Sequence, residues 1–112
     1  MFFNYIERKI MAFKKQYLKS KPVCKVTFKL TKEEAKAADS VSIVGDFNNW
    51  DKSSTVMKKL KNGSFSASMD LPVETDYQFR YLLDGKVYEN DWQADAYQTS
   101  PMSTEENSVI KL

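Results

Sequence analysis

Residues 77–89 read Tyr77-Gln78-Phe79-Arg80-Tyr81-Leu82-Leu83-Asp84-Gly85-Lys86-Val87-Tyr88-Glu89. Tyr77, Phe79, Tyr81 and Leu83 recur at every second position, with Gln78, Arg80 and Leu82 between them. Successive side chains of a strand point to opposite faces, so a period of two predicts a strand with one buried face. Asp84-Gly85 then reads as a two-residue hairpin turn, and the chain returns through residues 86–90. Such a turn sets Leu83 opposite Lys86, Leu82 opposite Val87 and Arg80 opposite Glu89. Arg80, Leu82, Val87 and Glu89 are therefore expected to share one face.

The same pattern continues outward. Phe65, Ala67, Met69 and Leu71 alternate with Ser64, Ser66, Ser68 and Asp70. Asn62-Gly63 joins this run to residues 57–60 and predicts a type I′ turn, in which both central residues need positive φ. Residues 41–44 form another strand that stops at Gly45, and residues 46–51 are rich in turn formers. Further upstream, Cys24, Val26, Phe28 and Leu30 alternate with Lys25, Thr27 and Lys29, which places the lone thiol on the apolar face as a core residue. Thr31 and Glu34 have the spacing of a capping box, so a short helical turn is expected after that strand. A polar stretch leads to the closing strand at residues 108–112. About seven short strands, with turn signals near every tenth residue, predict an all-β, immunoglobulin-like sandwich.

Residues 1–21 differ. Phe2, Ile6, Ile10, Phe13 and Tyr17 recur at spacings of three and four, which predicts a short helical extension ahead of a sandwich domain at residues 22–112. Its stripe suits packing on the domain itself or on a neighbour; a membrane-surface helix is disfavoured by the thin stripe and modest charge. Met11 offers an alternative start, which would make the residues before it an upstream extension.

Composition narrows the function. The 112 residues suffice for one domain, with 42% apolar and 13% aromatic residues to build its core. A net charge of +2 spread over scattered lysines argues against nucleic acid as a partner. One cysteine, Cys24, allows no internal disulfide and suits a reducing compartment. No apolar run approaches the roughly 20 residues of a membrane span, and the start lacks the order of a signal peptide, so a cytoplasmic location is expected. The chain has no histidine, hence no Ser-His or Cys-His pair and no zinc site of the usual kind. Its three glycines form no phosphate loop. Most carboxylates fall in turns, and Glu89, Asp91 and Asp95 match no calcium loop. The expectation is a non-catalytic protein without cofactor or metal.

Four ordered segments carry a family resemblance: Gly45-Asp46-Phe47-Asn48-Asn49-Trp50, Asp70-Leu71-Pro72, residues 77–85 and Asn107-Ser108-Val109-Ile110. Together they resemble the glycogen-binding module of the AMP-activated protein kinase beta subunit (carbohydrate-binding module family 48). They also resemble the early-set domains preceding the catalytic barrel of isoamylases, pullulanases and glycogen branching enzymes. Residues 15–24 look like bacterial stand-alone versions of this domain. The resemblance implies an early-set β-sandwich that binds α-glucan (glycogen, starch or malto-oligosaccharide). By the same resemblance Trp50 stacks on a glucose ring, while Arg80 and Asn107 contact its hydroxyls. An indole covers the apolar face of a hexose, and fixed donors serve the hydroxyl rim. The family's second stacking tryptophan falls at Val87, which has no ring. Trp92, Tyr88 or Tyr97 could replace it, Trp92 being preferred for its size, whereas Phe47 is expected in the core. A second reading keeps the fold but not the sugar: a protein-interaction domain docking on a partner such as an α-glucan enzyme, suggested by Val87 and by the N-terminal apolar stripe.

Overall fold

A computed structural model describes residues 13–100 and 105–112. Among the described residues there are nine strands: β1 (Phe13–Tyr17), β2 (Val23–Leu30), β3 (Val41–Gly45), β4 (Lys58–Lys59), β5 (Phe65–Pro72), β6 (Asp76–Leu83), β7 (Val87–Glu89), β8 (Ala96–Thr99) and β9 (Glu106–Lys111). They form two antiparallel sheets, one in the order β1-β2-β5-β4 and the other β3-β6-β9-β8, with β7 pairing β6 beyond the end of β9. One 3₁₀ turn, Asp46–Asn48, is the helical element among the described residues.

The alternating runs become strands because each has one apolar row to bury. Cys24, Val26, Phe28 and Leu30 of β2 face Tyr77, Phe79, Tyr81 and Leu83 of β6 across one core, and all eight are buried. Phe28 and Phe79 meet edge to face at 5.3 Å, and Phe79 and Tyr81 at 5.7 Å, the arrangement that ring quadrupoles favour. Cys24 is a buried free thiol, as the alternation placed it.

Two expectations about the elements are corrected. Residues 13–17 are a strand, not a helix: β1 pairs with β2 from Phe13↔Phe28 to Tyr17↔Cys24. Phe13 meets the Phe28 and Phe79 rings at 6.0 and 6.3 Å, so a neighbouring strand satisfies its backbone while its ring joins the core. The rest of the apolar stripe, Phe2, Ile6 and Ile10, lies outside the described residues. The described residues form nine strands rather than about seven, the additions being the edge strands β1 and β8.

The two hairpins also differ from expectation. At Asn62-Gly63 only Gly63 has positive φ (89°). The Gly63 N–H donates to the Leu60 carbonyl and the Leu60 N–H to that of Ser64, a three-residue loop with glycine in the left-handed position. Asp84 and Gly85 are both left-handed, and the Lys86 N–H closes their turn on the Leu83 carbonyl at 2.9 Å. Lys86 is then bulged out, so the ladder runs Leu83↔Val87, Leu82↔Tyr88 and Tyr81↔Glu89. A slip of one residue moves every side chain of a strand to the opposite face. Tyr88, not Val87, therefore shares a face with Leu82 and Arg80.

The capping box forms as expected. The Thr31 amide donates to Glu34 Oε1 (2.8 Å), and the Glu34 amide to Thr31 Oγ1 (3.1 Å).

Candidate functional site

β3 ends at Gly45, where the chain approaches β6 so closely that an added Cβ would lie 2.6 Å from the Gln78 carbonyl oxygen. Beyond it the 3₁₀ turn delivers Asn49 and Trp50, both left-handed, at φ 56° and 58°. Asparagine tolerates that region, but a bulky residue there is strained by about 1–3 kcal/mol. Hydrogen bonds hold the loop in place. The Trp50 amide donates to the Gly45 carbonyl (2.9 Å) and its indole Nε1 to Asp46 Oδ1 (3.0 Å). Asn48 accepts from the Gly45 amide and donates to the Ile43 carbonyl and Thr55 Oγ1. Trp50 is half-buried. Phe47 is half-buried and packs against Phe28, Tyr77 and Phe79 at the margin of the core.

Asp46 links this loop to the outer row of β6. Its Oδ2 accepts the Gln78 amide at 2.8 Å. Gln78 Oε1 accepts from Asn107 Nδ2 (2.9 Å), and Asn107 Oδ1 accepts from Arg80 Nε. Arg80 Nη1 donates to Glu105 Oε1 at 2.9 Å, and its guanidinium lies 5.9 Å from the centre of the Tyr88 ring, within cation–π range. One polar chain thus connects Trp50, Asp46, Gln78, Asn107, Arg80 and Tyr88. Asn107 is only 4% exposed and both its amide atoms are engaged within the protein, so here it orients Arg80. Tyr88 is 42% exposed. A pairing of Arg80 with Glu89 is not formed, because the bulge turns Glu89 to the other face, where it binds Lys36.

The structure therefore brings together three of the four expected residues, Trp50, Arg80 and Asn107. Trp92 lies apart, in the β7–β8 connection, beside the β2–β3 connection and the β4–β5 turn. Tyr97 donates its hydroxyl to the Asp91 carbonyl. Glu89, Asp91 and Asp95 go to separate partners, Lys36, Tyr81 and Lys15. No group of three metal-ligating side chains occurs among the described residues. Nor does any helix among them have the length and apolarity to cross a membrane.

The family model for carbohydrate-binding module 48 (isoamylase N-terminal domain) matches residues 24–98, which include β2 to β6 and the Trp50 loop. The chain belongs to this family. The module is 42% identical over 55 residues to the 1,4-alpha-glucan branching enzyme GlgB of Aquifex aeolicus (strain VF5), a match covering 48% of the module and 9% of that enzyme. In fold it is similar to the enterobactin esterase FES from Shigella flexneri, with a TM-score of 0.69 at 9% identity over 96% of the module and 34% of the esterase chain. The module thus spans a small part of each. Module 48 domains are carbohydrate-binding at the level of the family.

Two features of the site escaped sequence reasoning. Tyr88 was one of three candidate replacement rings, but its place beside Arg80 was hidden by the bulge at Lys86. Asp46 and Gln78, which join the loop to Arg80, looked like an ordinary turn residue and an ordinary outward strand residue.

Proposed function

We propose that the module is a non-catalytic, cytoplasmic α-glucan-binding domain. One glucose ring stacks on the Trp50 indole, Arg80 donates to its hydroxyls, and Tyr88 offers the neighbouring ring surface. What carries this reading is the hydrogen-bond chain from the Trp50 indole to the Arg80 guanidinium, which keeps a strained loop tryptophan rigid beside a fixed donor. Strain of that kind persists only where the surroundings over-determine it, and it gathers at binding sites. Asn107 serves as the bracket for Arg80. The family and the similarity to a 1,4-alpha-glucan branching enzyme support an α-glucan as ligand and a glucan-processing enzyme as the natural company of the module. Tyr88 on the Arg80 face restores a ring that Val87 could not supply, which weakens the reading as a pure protein-docking domain.

A single indole and a few hydrogen bonds bury little area, so Kd should be on the order of 0.1–1 mM. Native gels cast with glycogen or amylose test the proposal. Retardation of the wild type is expected, with Trp50→Ala and Tyr88→Ala each weakening it several-fold. Wild-type mobility unaffected by high concentrations of both polysaccharides would refute glucan binding and leave the docking reading.

A further inference from the structure

Building on the glucan reading above, we propose that Trp92 anchors a second α-glucan site, separate from the Trp50–Arg80 site. Trp92 lines a groove of about 440 Å³ together with Thr31, Glu33, Asn62, Ser64 and Gln93. That volume lies within the roughly 300–1,000 Å³ typical of small-ligand clefts. Thr31 and Glu33 follow β2, while Asn62 and Ser64 come from the β4–β5 turn, so the groove sits at the end of the first sheet. It shares no residue with the hydrogen-bond chain from Trp50 to Arg80, which runs along the second sheet.

The Trp92 indole is 57% exposed, a large apolar surface left facing water. Its exposure is not that of a loose loop. Asp91, immediately before it, is 1% exposed with every polar group occupied. The Asp91 amide donates to Ser108 Oγ (2.7 Å) and its carbonyl accepts the Tyr97 hydroxyl. Its Oδ2 accepts the Tyr81 hydroxyl (2.7 Å) and its Oδ1 the Gln93 amide (2.8 Å). Ser108 Oγ in turn donates to Asn90 Oδ1. Residues 90, 91 and 93 are thus tied down around Trp92, whereas the indole N–H has no partner among the described residues. A rigid aromatic presented this way loses little conformational freedom on binding.

The groove's chemistry selects the occupant. It sets one flat apolar face beside hydroxyl, amide and carboxylate groups and the Lys29 side chain. Asn62 uses its oxygen to hold the Ser64 amide and hydroxyl, leaving its NH₂ to donate outward. A pyranose, apolar on one face and hydroxylated at its rim, matches that set. Two sites on one module would let a long glucan engage both, the second contact being helped by high effective concentration.

Because the chain holds two tryptophans, its ¹⁵N–¹H spectrum should show two indole signals, assignable with Trp50→Phe and Trp92→Phe. Titrating the full chain with maltoheptaose should move both. In Trp50→Ala the Trp92 signal should still move, with a Kd within about threefold of wild type. Trp92→Ala should leave the Trp50 titration unchanged while lowering affinity for amylose at least fivefold. If the Trp50 signal moves and that of Trp92 stays fixed, or moves only when Trp50 is present, the second site is overturned and the first stands. If neither moves, both fall.

Discussion

Asp91→Ala is expected to destabilise the fold by roughly 2–4 kcal/mol. Alanine keeps the backbone bonds to Ser108 and Tyr97 but loses both carboxylate oxygens, orphaning the fully buried Tyr81 hydroxyl and releasing the Gln93 amide. An unsatisfied buried polar group costs about 1–3 kcal/mol and a lost hydrogen bond about another 1 kcal/mol. Asp91→Asn retains an acceptor and removes a buried charge, so it should recover more than half of the loss. Tyr81→Phe removes the orphaned hydroxyl, so the double variant Tyr81→Phe/Asp91→Ala should be less destabilised than the sum of its parts. Urea unfolding measures all four; strict additivity would show that the buried hydroxyl and carboxylate do not depend on each other.

The same carboxylate predicts a pH dependence. Burial, the largest influence, raises its pKa above the ordinary 3.8, outweighing the bonds from Gln93 and Tyr81 that favour the charged form. A raised folded-state pKa means that the folded protein holds this proton more tightly than the unfolded chain. The contribution is full below the unfolded pKa and is lost as pH rises through the folded one. Wild type should therefore gain stability relative to Asp91→Asn as pH falls from 7 towards 4. A difference independent of pH would show that burial does not perturb the group.

Gly45→Ala is the second large effect, at about 2–4 kcal/mol. Its φ of −178° is ordinary extended backbone, so the obstacle is space. The new methyl would meet the Gln78 carbonyl oxygen at 2.6 Å and Phe79 Cβ at 2.7 Å, and neither is the end of a flexible side chain. Overpacking costs roughly 1–3 kcal/mol, and more when backbone must give. Relief requires β3 to part from β6 beside the Gln78 amide that holds Asp46. Glucan affinity should fall along with stability. Gly85→Ala is the control. Its φ is 67° but nothing lies within 4 Å, so only the left-handed penalty of about 1 kcal/mol applies. Thermal unfolding with equal losses at the two glycines would refute the packing explanation.

Much of the fold was legible because β2, β5 and β6 each have an apolar row at period two, a local property that survives without knowledge of partners. The edge strands were not. β1 buries only Phe13 and leaves Tyr17 exposed, so its residues match a helical stripe as well as a strand; β8 lies exposed at the sheet edge and shows no alternation. Within the site, Trp50, Arg80 and Asn107 were readable from ordered motifs. The route that joins them was not, nor which of the three candidate rings stands beside Arg80.

From its amino acids alone this chain declares an all-β domain with a buried thiol at Cys24, no histidine-based chemistry and a tryptophan loop after Gly45. Long-range packing decided the rest. Whether Lys86 stays in the ladder or bulges out changes no local pattern, yet it decides whether valine or tyrosine stands beside Arg80. The position of Trp92 was equally a tertiary matter, because buried Asp91, Tyr81 and Ser108, from three separate strands and loops, fix where that indole emerges.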